Sequence, residues 1–148
     1  MNSMVGDLLN RKGRFVHSID PGATVFDAIS KMVDLSIGSL LVVDNTQALA
    51  GIITSTDYLK KVALQGRSSR TSFVIEIMNP DLVFINERFS IPRCLYLMTE
   101  HRVHYLPVLE DGELSGIISI GDCAREIAYD HDVTVQYFTD LIERRYPV

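Results

Sequence analysis

The sequence predicts an α/β protein of layered helices and strands, built from two β-α-β-β-α repeats related by pseudo-twofold symmetry. Two observations predict this fold. Sliding the chain by 66 residues superimposes apolar, helix-capping and strand positions over most of its length. In addition, the stretches "SLLVVD" and "YLPVLE" are apolar almost throughout, which is typical of strands that helices cover on both faces.

The repeat is clearest in two short stretches. The stretch "GIITSTD" covers residues 51–57 and "GIISIGD" covers residues 116–122. A glycine, two isoleucines, a hydroxyl residue and an aspartate therefore recur in the same order. Repetition at a fixed spacing indicates a duplicated supersecondary unit.

Each copy predicts the same elements in the same order. An extended segment ("RFVHSI" or "DLVFI") precedes a helix whose N-cap is Thr24 in the first copy and Ser90 in the second. An apolar strand, a polar turn and a second strand follow, and a second helix closes the copy. The stretch "FVIEIMNP" begins the second copy much as "MVGDLLN" begins the first.

These boundaries divide the chain into four parts. We assign residues 1–66 to the first copy with its N-terminal segment, 67–74 to a polar linker, 75–131 to the second copy and 132–148 to a C-terminal helix. A unit of about 60 residues buries little surface alone. We therefore expect the two copies to pair and to form clefts where they meet.

Composition excludes several classes of protein. The 148 residues are 47% hydrophobic and carry a net charge of −5, which argues against nucleic-acid binding. No apolar run reaches the length of a membrane span, and the N-terminus lacks the apolar core of a signal peptide. Cys94 and Cys123 have neither disulfide-framework nor zinc spacing, so we expect buried, reduced thiols in an intracellular protein, cytoplasmic or, after removal of a transit peptide, in a mitochondrial or plastid matrix.

Two interpretations of the repeated hydroxyl residue and aspartate remain open. Thr54 with Asp57, and Ser119 with Asp122, match the capping box that closes a helix N-terminus. The same positions also suit a nucleoside phosphate. A helix N-terminus attracts anions, and a carboxylate can accept hydrogen bonds from both hydroxyls of a ribose.

The doubled pattern closely resembles a tandem pair of CBS domains, also called a Bateman module. The pattern consists of "TVxDAIxxMxxxxIGxLxVVD…GIITxxD" and "MxxxxVxxLPV…GIISxxD", and it covers roughly residues 5–130. The stretch "LAGIITSTDYLKKVALQGRSS" looks most like the small stand-alone CBS proteins of plants and bacteria. The resemblance implies a non-catalytic regulatory module and energy sensor, not an enzyme.

The ligand implied is AMP, ADP, ATP or a related adenosyl compound, with no catalytic cofactor and no bound metal. The implied partners are a second copy in a homodimer and a regulated protein, for example a redox or metabolic enzyme, but neither a nucleic acid nor a membrane. The alternative is a scaffold module that does not bind nucleotides, and a small nucleotide-processing enzyme is the weakest hypothesis.

The resemblance also implies two unequal clefts. The first combines Thr54 and Asp57 with Phe84, Ile85 and the phosphate contact His104. The second combines Ser119 and Asp122 with a segment of the first copy, namely Val16, His17, Ser18 and Ile19, while Gly38 and Ser39 stand where the second copy has His104.

A metal or catalytic site is a further alternative, because His101 and His104 lie three residues apart. No third ligand has suitable spacing, and Cys94 falls on the apolar stripe of its helix. We therefore predict neither a metal site nor catalytic residues.

Overall fold

The computed structural model describes residues 3–130 and position 142. The described chain forms two compact units. The first unit consists of residues 16–82, and the second consists of residues 3–15 together with 83–130. The C-terminal helix that we predict over 132–148 lies, apart from position 142, outside the described residues.

The elements are named here in chain order. They are α1 (Val5–Lys12), β1 (Ser18–Ile19), α2 (Val25–Leu35), β2 (Ser39–Val43), β3 (Leu49–Thr54), α3 (Ser55–Tyr58), α4 (Val74–Ile77), α5 (Ile91–His101), β4 (Tyr105–Glu110), β5 (Glu113–Ser119) and α6 (Ile120–Asp130). Helices and strands alternate as predicted, and the mixed α and β architecture is confirmed.

The first unit has a three-stranded sheet with β2 in the centre. Strand β1 pairs with it in parallel and β3 pairs with it in antiparallel fashion. Helix α2 begins as predicted, because the Thr24 side chain accepts a hydrogen bond from the Asp27 N–H at 3.1 Å. The apolar side of α2 and the strands enclose a core that includes Val25, Leu40 and Ile53.

The second unit repeats this plan with a smaller sheet. Strands β4 and β5 form an antiparallel hairpin, and a single parallel bridge from Ile85 to Val108 stands where β1 lies in the first unit. The predicted extended segments are thus much shorter than expected, since only Ser18–Ile19 forms a strand in the first copy. Ser90 caps α5 as predicted, with the Arg93 N–H donating to its hydroxyl.

The helices that close the two copies differ in form. Helix α6 is a regular helix of 11 residues. Helix α3 has only four residues and continues into a π-helical turn over Leu59–Ala63, which the Leu64 N–H closes by donating to the Leu59 carbonyl at 3.0 Å. The sequence predicts a helix in both places but gives no sign of the wider turn.

The segment that precedes each copy of the repeat, with α1 or α4, is called here its leading segment, and it packs with the other copy. The two units therefore do not follow the division of the sequence at residue 66. In the second unit, the Val5 N–H donates to the Phe89 carbonyl at 2.9 Å. In the first unit, the Val74 N–H donates to the Ala23 carbonyl at 2.9 Å. The first N–H groups of a helix have no partner within that helix. Those of α1 are bound by a carbonyl of the loop before α5, and those of α4 by a carbonyl of the loop before α2.

The polar segment 67–74 belongs to the first unit and closes the start of α2. Ser72 and Ser69 accept hydrogen bonds on their carbonyls from the N–H groups of Val25 and Phe26, at 2.8 and 3.0 Å. The Arg70 guanidinium lies 3.9 Å from the centre of the Phe26 ring. This segment is therefore part of the folded unit.

Candidate functional site

The start of α3 carries the first copy of the repeated hydroxyl residue and aspartate. The backbone N–H and the hydroxyl of Thr54 donate to Oδ2 of Asp57, at 2.9 and 3.0 Å, while the Asp57 N–H donates to the Thr54 hydroxyl at 3.1 Å. A complete capping box results. Lys61, one turn further on, places Nζ 3.3 Å from Oδ1 of Asp57. We call Thr54, Asp57 and Lys61 the α3 cap site.

The start of α6 carries the second copy. The Ser119 N–H donates to Oδ2 of Asp122 at 2.8 Å, and the Asp122 N–H donates to the Ser119 hydroxyl at 3.1 Å. Lys12 of α1 places Nζ 2.6 Å from Oδ2 of Asp122, and Arg125 lies 3.2 Å from Oδ1. We call Lys12, Ser119, Asp122 and Arg125 the α6 cap site.

The Asp122 carboxylate is held in its ionised form. Only 12% of its side chain is exposed. This burial acts to raise the pKa, but the Lys12 charge and the hydrogen bonds from Lys12 and Ser119 outweigh it, so the pKa of Asp122 lies below its ordinary value. A buried acceptor that stays charged at neutral pH can bind hydroxyl or N–H donors strongly.

The repeated glycines allow the leading segments to approach the sheets. A Cβ on Gly51 would lie 2.7 Å from the Asn79 carbonyl oxygen and 2.9 Å from Sδ of Met78. A Cβ on Gly116 would lie 2.8 Å from a terminal methyl of Leu9. Within each unit the neighbour that needs this space belongs to the segment that contains α4 or α1.

Gly38 and His104 have equivalent backbone roles beside the two caps. The Gly38 carbonyl accepts the Ser55 N–H at 3.0 Å, and the His104 carbonyl accepts the Ile120 N–H at 2.9 Å. The His104 side chain is exposed. Each residue therefore lies beside the helix start of its own copy.

The other predicted binding residues are distributed over both units. Phe84 is 48% exposed, whereas Ile85 is buried in the core of the second unit and presents no side chain to a ligand. Val16, His17, Ser18 and Ile19 are half-buried, and Ser39 is buried. The two predicted clefts each join residues of both units, and that pairing stays a prediction.

A pocket of about 310 Å³ opens in the first unit between α2 and α3. Gly38, Ser55 and Tyr58 contribute to its wall beside apolar side chains of α2. Ile120 and Cys123 occupy the positions of Ser55 and Tyr58 in the second copy. Two residues with hydroxyl groups in the first copy are thus replaced by apolar ones in the second.

The described part of the chain offers no group of three or more His, Cys, Asp and Glu side chains arranged to hold a metal ion. Cys94 and Cys123 are free and fully buried, as predicted. Burial raises the pKa of the Cys94 thiol to about 12 and that of Cys123 still further. Neither thiol has the lowered pKa that a cysteine nucleophile requires.

Comparison with known proteins identifies the family. The CBS domain family matches residues 5–64 and 74–129. The chain belongs to this family. The mitochondrial CBS domain-containing protein CBSX3 of Arabidopsis thaliana is 33% identical over 153 residues, spanning 98% of this chain and 74% of that protein. YhcV of Bacillus subtilis (strain 168) is 32% identical over 109 residues, spanning 74% of this chain and 76% of that protein.

A solved structure shows the same CBS-pair fold. The CBS-domain protein from Burkholderia ambifaria MC40-6 is 40% identical, with a TM-score of 0.84 over 90% of this chain and 99% of that chain. The predicted family and fold are therefore confirmed. Each matched CBS segment includes a leading helix, α1 or α4, that packs in the unit of the other copy.

Sequence reasoning missed the cations of this CBS pair. It assigned no cation to Asp122, whereas Lys12 and Arg125 of the second unit lie on that carboxylate. Within the first unit, Lys31 donates to the Ser18 carbonyl at 2.5 Å. Arg125 could have been found, because it lies three residues after Asp122. Lys12 lies 110 residues before it, and no repeat position indicates the contact.

Proposed function

We propose that this CBS pair is a non-catalytic regulatory module that binds AMP, ADP, ATP or a related adenosyl compound. The observation that carries the proposal is the duplicated carboxylate of Asp57 and Asp122, each at the start of a helix and each with a cation beside it. An aspartate can accept both ribose hydroxyls. The helix start and the adjacent cations favour the negative charge of a phosphate.

Regulation requires that the nucleotide bind two states of the protein with different affinity. We propose that occupancy of the sites shifts such an equilibrium and thereby changes the activity of a partner protein. The free, buried cysteines suit a reducing compartment, so we propose that the module acts in the cytoplasm or in an organelle matrix. The name of the Arabidopsis relative refers that protein to the mitochondrion.

Thermal unfolding with added ligand tests the proposal. A ligand that binds only the native state at 100 times its Kd adds about 2.7 kcal/mol to the free energy of unfolding. We expect AMP, ADP or ATP to raise the Tm, and Asp57→Ala and Asp122→Ala each to abolish part of that rise. The Tm of each variant with ligand is compared with the Tm of the same variant without ligand. The loss of a helix cap in the variant therefore does not affect the measured shift. Nucleotide turnover in the same sample would favour an enzyme.

A scaffold module without nucleotide binding is the second candidate, and one observation favours it. Both capping boxes are complete, and both repeated glycines contact a leading segment. The repeated residues therefore have structural roles without any ligand. If no adenosyl compound, S-adenosylmethionine included, raises the Tm, this function replaces the sensor.

We propose further that the module acts as a homodimer. Several apolar side chains of the first unit are exposed, Val33 at 70% and Leu59 at 53% among them, and a second copy could cover them. Light scattering during gel filtration tests the homodimer, and a monomeric mass would contradict it.

The helices of the described residues are all too short or too polar to cross a bilayer.

A further inference from the structure

We propose that one surface of the first unit binds an acidic segment of the regulated partner protein. This inference rests on the proposed function in one respect, since it names the kind of partner that the module regulates. It involves neither cap site. The surface, called here the linker surface, consists of Phe26, Leu64, Arg67, Arg70, Phe73 and Ile75.

Contacts of Glu76 bring much of the linker surface together. Its carboxylate lies 2.9 Å from Nη2 of Arg67 and accepts the Phe73 N–H at 2.9 Å. Ile75 is its neighbour on α4, and Leu64 lies in the turn that leads to Arg67. Leu64, Phe73 and Ile75 are apolar, yet they are 79%, 45% and 58% exposed. Apolar side chains that are exposed together are typical of a surface that binds another protein.

Arg70 supplies a receptor for a carboxylate. Its guanidinium lies over the Phe26 ring, 3.9 Å from the ring centre, and no carboxylate in the part of the chain that the structure describes pairs with it. A stacked guanidinium can still bind a carboxylate through two parallel hydrogen bonds. The backbone around Arg70 is held in place, because the carbonyls of Ser69 and Ser72 accept the first N–H groups of α2. A receptor that is fixed in advance loses little entropy on binding.

The charge of this stretch favours an acidic protein segment over other anions. Between Lys60 and Ile75 the chain has four basic residues and no acidic one, although the whole chain carries a net charge of −5. Lys61 and Arg67 are paired with acids from outside the stretch. Among the described residues, Lys60 and Arg70 have no acidic partner. Anionic lipids are typically bound by clusters of about four to eight Lys and Arg residues, and nucleic acids by many such contacts. Two unpaired cations beside exposed apolar side chains instead fit a short segment with acidic and apolar residues.

The chain reaches the linker surface through the π-helical turn over Leu59–Ala63, which Leu64 follows directly. Helix α6 closes the second copy in regular form, so the repeat itself does not require the wider turn. Turns of this kind occur frequently at functional sites. The π-helical turn therefore supports a functional role for the segment that follows it.

Binding of the full chain to an array of synthetic peptides of random sequence tests the proposal. We expect the bound peptides to be rich in aspartate and glutamate next to leucine or phenylalanine. Arg70→Gln should weaken the best of these peptides about fivefold, because it removes a charge-assisted pair. Ile75→Ser should weaken them by a similar factor. Arg93→Gln is the matched control, since Arg93 lies 4.1 Å from the centre of the Phe89 ring in the second unit, and it should leave binding within about twofold.

Several results would overturn the proposal. They are bound peptides without enrichment in acidic residues, no bound peptide at all, equal losses in Arg70→Gln and Arg93→Gln, and tighter binding of phosphatidylserine vesicles or duplex DNA. If Arg70→Gln lowers the Tm, Leu64→Ser repeats the test at a side chain that is mostly exposed. A smaller mass of Leu64→Ser in gel filtration would assign the surface to a second copy and would also overturn the proposal.

The nucleotide response separates this inference from the proposed function. Because Arg70 belongs to neither cap site, Arg70→Gln should show the same AMP-induced rise in Tm as the unmodified protein. If AMP raises the Tm and no peptide binds, this inference fails and nucleotide binding stands. If acidic peptides bind and no nucleotide raises the Tm, nucleotide binding fails and the linker surface stands.

Discussion

The two copies fasten their leading segments with opposite charges at equivalent positions. In the first unit, Lys61 on the closing helix bridges Asp57 and the Ile77 carbonyl at the end of α4. In the second unit, Glu126 stands where Lys61 stands in the first, and it pairs with Arg11 of α1. Both units therefore join the closing helix to the leading segment at the same repeat position, but with side chains of opposite charge.

The leading helices also differ in how much they bury. Helix α1 has eight residues, and Leu9 is fully buried in the second core. Helix α4 has four, and Met78, which follows it, is only half-buried. The second unit should therefore depend more on its leading helix than the first. The following predictions test this comparison.

The largest effect is expected for truncation of a buried side chain on α1. Leu9→Ala should lower the free energy of unfolding by about 2–5 kcal/mol, since it removes a fully buried leucine and leaves a cavity. Met78→Ala, the matched change after α4, should cost less than half as much. Urea unfolding measures both, and equal losses would show that the two leading segments are equally important.

A smaller difference is expected at the repeated glycines. Gly51→Ala should destabilise by about 1–3 kcal/mol, because the added Cβ meets the Asn79 backbone, which cannot move alone. Gly116→Ala should cost less, since the Cβ meets a flexible end of Leu9. In a double-mutant cycle, Gly116→Ala combined with Leu9→Ala should be less than additive. Strict additivity would mean that the two residues do not clash.

The reactivity of the cysteines measures local opening of the second unit only, because Cys94 and Cys123 both lie in the second core. At pH 8 a thiol reagent should react slowly, since burial raises the pKa of Cys94 to about 12 and leaves little thiolate. Leu9→Ala should speed the reaction about tenfold or more by easing local opening, whereas Met78→Ala should leave it within twofold. Equal acceleration by both would show that the units open together.

The smallest expected effect is a change in the free energy of unfolding with pH in the acid range. Since the folded pKa of Asp122 lies below its ordinary value, its stabilisation is present above the unfolded pKa of about 4 and is lost as pH falls through the folded pKa. Asp122→Asn should cost about 1 kcal/mol at pH 7, the order of one net hydrogen bond, and progressively less at pH 4 and pH 3, where the carboxylate becomes protonated. Urea unfolding at each pH measures the difference. A constant difference would assign the effect to packing.

Most of the local structure could be predicted from the sequence. The hydroxyl residues expected to cap helices all do so, namely Thr24, Ser90, Thr54 and Ser119. The apolar stretches at residues 39–43 and 105–110 form strands. These features depend on residues within about four positions of each other. Local spacing is enough to reveal them.

The contacts between distant segments could not be predicted. Lys12 lies 110 residues before Asp122, and the repeat gives no sign of this contact because the first copy has no equivalent of it: Asp57 is paired with Lys61, only four residues further along the chain. The same limit applies to the leading helices, because the sequence shows where α1 begins and not which copy it packs against. The extended segments before α2 and α5 are shorter than predicted for a different reason. Whether residues such as Phe84 pair with a neighbouring strand depends on the register of the sheet, which the local sequence does not indicate.

The exchange of leading segments also fixes the order in which the units can be completed during synthesis. Residues 16–82 are continuous, so every residue of the first unit is available once position 82 has left the ribosome. The second unit needs α1, which precedes the first unit in the chain, and α6 from residues 120–130, which follows it. Helix α1 is therefore synthesised before the first unit but can pack fully only after it, so the apolar residues Val5, Leu8 and Leu9 lack their partners in the second core while the first unit is synthesised.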